Sequence, residues 1–102
     1  MRVVYTPTAV RHIESQLEYL MSKGAVRAAV AARDRITTFV TDFLSRYPRT
    51  GRLIPESNIY EIWIPGTRYV IFYRVEVGNV LRILALFHTS QDRSTFESGN
   101  EP

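Results

Sequence analysis

The sequence has 102 residues, of which 45% are hydrophobic, and a formal net charge of +3. A chain of this length forms one domain with one core, and its apolar content excludes disorder throughout. It has no cysteine, which excludes disulfide bridges and thiolate chemistry and agrees with a reducing compartment. No apolar stretch is long enough for the core of a signal peptide or for a membrane span. We therefore expect a cytoplasmic protein that does not enter a membrane.

The positive charge is carried almost entirely by arginine. All 13 basic residues except Lys23 are arginine. The planar guanidinium group binds carboxylates or phosphates through two parallel hydrogen bonds. Such a surface suits an acidic protein partner or nucleic acid, although a net charge of +3 is also ordinary for a protein in solution.

The first half of the chain predicts a strand followed by two helices. Arg2–Tyr5 is β-like, and Thr6 can cap a helix that has Pro7 at its first position, where no N–H is needed. Apolar residues then recur at three- and four-residue spacing until Gly24, which ends the first helix. A second helix is predicted over residues 25–47. Its first half is rich in alanine, which allows close packing and predicts an antiparallel helix hairpin.

The second half predicts a three-stranded antiparallel meander after a loop. Gly78 and Asn79 tolerate positive φ and predict a two-residue hairpin turn between the last two strands. The predicted strands cover residues 59–64, 69–77 and 80–89. The order β-α-α-β-β-β predicts an α+β fold in which one sheet packs on the helix hairpin. We expect a single domain over residues 1–93 and a frayed polar tail over residues 94–102.

Both faces of the predicted sheet are largely apolar, although a solvated antiparallel sheet shows one polar face. A two-residue turn that pairs Val77 with Val80 places Arg74 on one face and Arg82 on the other. Two helices cover only one face, so the tail, a second copy or a partner has to cover the other, unless the long helix and the loop reach far enough. Each arginine lies at a rim, pairs within the chain or receives a partner's carboxylate, because an unpaired buried charge costs several kcal/mol.

Candidate catalytic groups are sparse. His88, Ser90 and Asp92 lie close in sequence, but a triad needs the histidine between the other two groups, and neighbours at one strand end rarely converge in this way. His88 with Arg93 is a better candidate for acid–base chemistry with phosphate stabilisation. No cluster has metal-ligand spacing and no glycine-rich phosphate loop is present. We therefore expect no metal and no cofactor.

Several degenerate motifs follow one another over residues 2–93. They are Thr8-Ala9 after the opening strand, Tyr19-Leu20, Tyr47-Pro48-Arg49 with Gly51 and Arg52, the string Tyr69 to Val75, and Ile83 to His88 with Asp92-Arg93. In this order and spacing they resemble the ParE/RelE superfamily of bacterial toxins from type II toxin–antitoxin systems.

The resemblance implies one scaffold with two activities. RelE-like members are ribosome-dependent mRNA endonucleases, whereas ParE-like members poison DNA gyrase and have no known hydrolytic residues. In both branches an acidic antitoxin lies across the toxin and neutralises it. The resemblance therefore implies a hetero-oligomer with an acidic, ParD-like antitoxin, with gyrase as the target and contact with DNA only through the antitoxin or gyrase.

The sequence of the predicted strand over residues 69–77 favours the ParE-like branch. RelE-like ribonucleases usually have an arginine a few residues before a tyrosine in this strand, and alignment on Tyr73 puts Val70 there, with Arg68 just outside. We therefore expect a gyrase poison with no catalytic residue. If the chain were a ribonuclease, its catalytic residues would be Arg68, His88 and Arg93. A non-catalytic basic binding module is the third possibility.

The second apolar face also predicts where the antitoxin binds. That face is apolar but carries charge, and large aromatic and arginine side chains are the usual anchors of a protein interface. The residues expected to contact the antitoxin are Trp63, Tyr69, Arg74 and Arg82.

Overall fold

The computed structural model describes all 102 residues. The helices are α1 (Pro7–Ser22), α2 (Val26–Thr38), which continues as a π-helical segment (Phe39–Leu44), and the short α3 (Ser94–Glu97). The strands are β1 (Arg2–Tyr5), β2 (Arg52–Leu53), β3 (Ile59–Trp63), β4 (Tyr69–Glu76) and β5 (Val80–His88). They form one sheet in the order β1-β5-β4-β3-β2, in which β1 is parallel to β5 and the other pairs are antiparallel. The predicted α+β fold is confirmed, and β2 is an additional strand in a segment predicted as a loop.

Helix α1 begins and ends where its terminal residues predict. The Thr6 hydroxyl oxygen accepts a hydrogen bond from Ala9 N at 3.1 Å, and Pro7 occupies the first helical position. Gly24 has a φ of +74° immediately after the helix, a conformation that glycine adopts without steric cost. None of the helices combines the length and the apolar character needed to cross a membrane.

The second helix changes from α-helical to π-helical geometry before it ends. Beyond Thr38 the backbone is π-helical, and Ser45 N donates to Val40 O five residues back at 3.0 Å. Val40 and Leu44 are both buried on the core side of this segment. Phe39, Phe43 and Tyr47 form a ladder along this segment, in which neighbouring ring centroids lie 5.3 Å apart.

Both faces of the sheet are apolar, as predicted, and each carries its own buried cluster. The helix-side cluster combines side chains from α1, α2 and the sheet: Ala9, Ile36, Val40, Leu44, Ile64, Ile71, Tyr73, Leu81, Ile83 and Leu86. The cluster on the opposite face, which we call the tail face, contains Ile54, Ile59, Val70, Phe72, Leu84, Ala85 and Phe96.

The C-terminal segment covers the tail face. The tail was expected to be frayed, but residues 94–97 form α3 and the Phe96 side chain is 2% exposed. Its ring centroid lies 5.2 Å from that of Phe72 and 5.7 Å from that of Phe87. Farther along, Glu101 binds Arg74 at 3.0 Å. The sequence allowed the tail, a second copy or a partner to cover this face. In the structure the tail covers it.

The turn between β4 and β5 differs from the prediction. Glu76, not Val77, pairs with Val80, so the loop comprises residues 77–79. Gly78 and Asn79 do have positive φ, at +86° and +61°. The predicted two-residue turn is therefore wrong by one residue, although the residues that favour it adopt the expected conformation.

A β-bulge compensates for this shift in register. Phe72 pairs with Ala85, but Tyr73 pairs with Ile83, which leaves Leu84 as an extra residue in β5. Beyond the bulge the predicted register is restored. The Leu84 carbonyl, displaced from the ladder, accepts a hydrogen bond from the Thr6 hydroxyl at 3.0 Å, which satisfies a buried acceptor that would otherwise be costly.

The bulge also corrects the predicted placement of two arginines. Arg82 was expected on the face opposite Arg74, but the two residues pair directly across β4 and β5 on the same face. Glu76 Oε2 accepts from Arg74 Nε at 3.0 Å, and Glu76 Oε1 accepts from Arg82 Nε at 2.8 Å. In the predicted register Arg82 would face the apolar helix side, so the shift places its charge beside a carboxylate.

The Phe96→Ala variant tests whether the tail belongs to the core. It should lower the free energy of unfolding by about 3–5 kcal/mol, because it leaves a cavity between aromatic rings. Urea denaturation monitored by circular dichroism measures this loss. The control is Val77→Ala at a fully exposed turn position, which should change stability by less than about 0.5 kcal/mol. Equal effects of the two substitutions would contradict the docked tail.

Candidate functional site

A cleft separates the end of the helix hairpin from the end of the sheet. Its two adjoining lobes each have a volume of about 440 Å³ and share Leu20, Tyr69 and His88. One lobe is completed by Ala28, Ala31, Ala32, Arg35, Gly66, Thr67 and Arg68. The other is completed by Ser15, Gln16, Tyr19, Ser90 and Gln91. We call this space the hairpin cleft.

The lining of the hairpin cleft is positively charged and partly apolar. Arg35 and Arg68 are its charged side chains, and no aspartate or glutamate lines either lobe. Leu20 and the alanines of α2 form an apolar wall. Tyr69 and His88 pair across β4 and β5 and meet edge to face with ring centroids 6.0 Å apart. The cleft can therefore receive a group that is both anionic and apolar.

His88 does not form a catalytic triad with its neighbours in sequence. Its Nδ1 atom lies 2.8 Å from Ser90 Oγ and accepts a hydrogen bond from Ser90 N at 3.1 Å. Asp92 Oδ1 instead accepts from Ser94 N at the start of α3, and this bond holds the pKa of Asp92 below its ordinary value. A triad would require the carboxylate on Nδ1 and the hydroxyl on the opposite ring nitrogen.

Arg93 lies on the tail face rather than in the cleft. Its Nε atom is 3.6 Å from Glu61 Oε2, and its guanidinium carbon is 5.8 Å from the Trp63 ring centroid. Glu61 is 8% exposed and also binds Arg52 at 2.8 Å. Of the three residues assigned to the ribonuclease alternative, Arg68 and His88 therefore line one cleft, and Arg93 is engaged in an ion-pair network on the opposite face.

The residues expected to bind an antitoxin do not form one surface. Tyr69 lines the hairpin cleft, whereas Trp63, Arg74 and Arg82 belong to the tail face. Trp63 is 55% exposed. Arg74 and Arg82 have carboxylate partners within the chain, which was one of the arrangements that the sequence allowed.

The chain matches one protein-family model over residues 3–93, that of the ParE toxin of the type II toxin–antitoxin system parDE. It belongs to the ParE toxin family. A similar solved structure is that of the chromosomal ParDE TA system from P. aeruginosa. The likeness covers 86% of this chain and 95% of the other, with a TM-score of 0.70 and 15% sequence identity. At this identity it shows a shared fold alone. No curated protein matches the chain.

The sequence-based candidates omit two residues that have defined places in the structure, Arg35 in the cleft and Phe96 on the tail face. Arg35 lies in the predicted second helix, where its spacing from Ala28 and Ala31 places all three on one helical face. Phe96 had a clearer signal, because it is the single large apolar residue in the polar tail. No group of three histidine, cysteine, aspartate or glutamate side chains is arranged to hold a metal ion.

The Glu76 ion pairs predict a specific dependence of stability on pH. Hydrogen bonds from Arg82 and Arg74 lower the pKa of Glu76 below its ordinary value of 4.5. Because the folded-state pKa is depressed, the pairs contribute stability above pH 4.5 and lose it as the pH falls through the lowered value. Glu76→Gln should therefore be less stable than the parent at pH 7, and this difference should shrink in acid.

Urea denaturation over a pH series measures the difference. The control is Glu14→Gln, because Glu14 is exposed on α1 and has no ion-pair partner. A deficit of the Glu76→Gln variant that stays constant down to the acid limit would show that packing, not charge, accounts for it.

Proposed function

We propose that this ParE-family chain is a toxin that a bound antitoxin neutralises, and that it acts in the cytoplasm by binding DNA gyrase rather than by cleaving RNA. The observation that carries the choice of mechanism is the separation of Arg93 from Arg68 and His88. General acid–base catalysis requires groups within hydrogen-bond reach of the same reacting atoms. Arg93 contacts Glu61 and Trp63 on the tail face, whereas His88 pairs with Tyr69 on the helix side of the sheet and lines the cleft with Arg68.

The distribution of charge supports an acidic antitoxin. Of the basic side chains that border the hairpin cleft, neither Arg35 nor Arg68 forms an ion pair within the chain, so both can meet carboxylates of a partner. The proposed antitoxin contacts are Trp63, Tyr69, Arg74 and Arg82. A ParD-like identity for the antitoxin is part of the same proposal.

The contribution of Arg74 and Arg82 to the complex is tested by their double alanine variant. It should weaken binding of the antitoxin by at least about 1 kcal/mol, provided that a partner carboxylate displaces Glu76 or Glu101 from these arginines. Isothermal titration calorimetry measures the affinity, and circular dichroism confirms that the variant is folded. A folded variant with unchanged affinity would remove both arginines from the interface.

The target is tested by two assays of the purified toxin side by side. One follows supercoiling by gyrase and formation of the cleavage complex, and the other follows codon-dependent mRNA cleavage on translating ribosomes. We expect gyrase inhibition with intact mRNA. Cleaved mRNA with unaffected gyrase would overturn the proposal in favour of the ribonuclease.

His88→Ala separates binding from catalysis. If the chain acts by binding gyrase, the variant should retain most of its inhibition, because no proton transfer depends on the imidazole. A loss of about 100-fold in activity by a folded variant is the size expected for removal of a general acid or base. Such a loss would favour the second candidate, a ribosome-dependent ribonuclease, which is supported by the shared position of Arg68 and His88 in the cleft.

A further inference from the structure

We infer that the chain binds single-stranded nucleic acid at a second surface, at the end of the sheet opposite the hairpin cleft, where Arg46 and Arg49 contact phosphates and Tyr47 stacks on a base. The inference does not rest on the proposed target, since it concerns a direct contact between this chain and a nucleic-acid strand. The family resemblance implied such contact only through the antitoxin or gyrase.

A pocket of about 500 Å³ opens where the segment after the π-helical turn meets the turn between β4 and β5. Its two sides are formed by Arg46, Pro48 and Arg49 and by Val75, Glu76 and Asn79. We call this space the turn-end pocket. Tyr69 and His88, which line the hairpin cleft, lie at the other ends of β4 and β5. The two openings therefore lie at opposite ends of the same two strands.

The turn-end pocket carries positive charge that the chain does not compensate. Arg46 and Arg49 are exposed, and neither forms an ion pair within the chain. Glu76 is the one carboxylate in the lining, and its two oxygens accept hydrogen bonds from Arg74 and Arg82. Because Glu76 is already paired, the two remaining arginines make the pocket complementary to an anion.

Exposed aromatic rings lie on the same segment as these charges. Tyr47 is between Arg46 and Pro48 in the chain and is 51% exposed. Its ring centroid is 5.3 Å from that of Phe43, which is also exposed. Aromatic rings beside cations are the combination that binds single-stranded nucleic acid, because bases stack on the rings and phosphates meet the cations. The arginine fork suits a phosphate through two parallel hydrogen bonds.

Hydrogen bonds hold the segment that carries these groups. The buried Tyr73 hydroxyl donates to Pro48 O at 2.7 Å and accepts from Gly51 N at 3.1 Å. Thr50 Oγ1 donates to Tyr47 O at 2.9 Å. A Cβ on Gly51 would lie 2.6 Å from the Tyr73 hydroxyl oxygen, so this close approach requires glycine. A segment that is already ordered loses less conformational entropy when a ligand binds.

The lining of the turn-end pocket does not suit the apolar anchor of a protein partner. Besides Pro48, only Met1 and Val75 are apolar, whereas the dominant side chains of a protein interface fill well-packed, desolvated pockets. Phosphates need no such pocket, because they remain partly solvated when they meet arginines at a rim. The polar lining and the exposed rings therefore favour a nucleic-acid strand over a peptide.

Fluorescence anisotropy with the full chain and a fluorescein-labelled oligothymidylate of about 15 nucleotides tests the site. The double variant Arg46→Ala, Arg49→Ala should weaken binding at least about tenfold. It should also reduce the dependence of log affinity on log salt concentration by about 1.4, because each lost phosphate contact removes about 0.7. The matched control is the double variant Arg11→Ala, Arg27→Ala, which removes equal charge at exposed positions outside the pocket. It should change the affinity by less than about twofold, because distant charges are screened at about 0.15 M salt.

Two substitutions of Tyr47 separate stacking from charge. Tyr47→Ala should weaken binding about fivefold or more, and Tyr47→Phe should keep the affinity of the parent, because a phenyl ring still stacks on a base. Circular dichroism confirms that each variant is folded. In ¹H–¹⁵N NMR, the amide resonances of Arg46, Tyr47 and Arg49 should shift during the titration, while those of Thr67 and Arg68 at the hairpin cleft should not.

Absence of binding by the parent overturns the inference. Equal losses in the two double variants also overturn it, because binding would then depend on net charge alone. So does a duplex that binds as tightly as the single strand with no dependence on Tyr47. A polyglutamate peptide that binds more tightly through the same arginines would assign the surface to an acidic protein instead. A dimer in sedimentation velocity that Tyr47→Ala dissociates would assign it to a second copy of the chain.

A parallel titration with an oligouridylate of the same length distinguishes RNA from DNA. A preference for either strand, with the same dependence on Arg49 and Tyr47, supports the inference and identifies the source of the strand. None of these measurements contains gyrase or an antitoxin. Their outcome is therefore independent of the proposed target.

Discussion

The β4–β5 hairpin is apolar on both faces, and the rest of the structure depends on covering them. Burial of apolar surface is the main favourable contribution to folding, so neither face can remain in water without a large loss. The helix hairpin covers Ile71 and Tyr73 on one side, and Phe96 covers Phe72 on the other. A segment that reads as a polar tail is therefore part of the core, and the protein has three layers rather than two.

The arginines around this apolar centre are paired with glutamates, because an unpaired charge next to buried apolar surface is costly. The bulge at Leu84 moves Arg82 to the face where Glu76 binds it, and Glu61 binds the arginines on the other side of Phe96. Together with Glu97 and Glu101, these glutamates give each of the four arginines a carboxylate partner within the chain. Arg35 and Arg68, which line the hairpin cleft, have no ion-pair partner within the chain. The chain therefore has one face that is complete in itself and one end that is complementary to an acidic partner.

This asymmetry connects the fold to the proposed mode of action. The chain belongs to the ParE toxin family, and it has an open cleft between the helix hairpin and the end of the sheet. Arg93, which the ribonuclease alternative combined with His88, instead packs over Trp63 on the opposite face. This position of Arg93 agrees with the proposal that the chain acts by binding a protein rather than by cleaving RNA.

The sequence by itself determined the order and type of the longer elements, although not of β2 or α3, because the signals of the longer elements are local. Thr6 and Pro7 specify the start of α1 within a single turn of helix, and two runs of mostly apolar, β-branched and aromatic residues around Gly78-Asn79 specify β4 and β5. The tertiary structure alone decided the bulge with its shift in register, the covering of the tail face and the position of Arg35. Each depends on contacts between residues far apart in the chain, such as the bond from Thr6 to the Leu84 carbonyl. These contacts form only when the layers pack together, so no local sequence pattern predicts them.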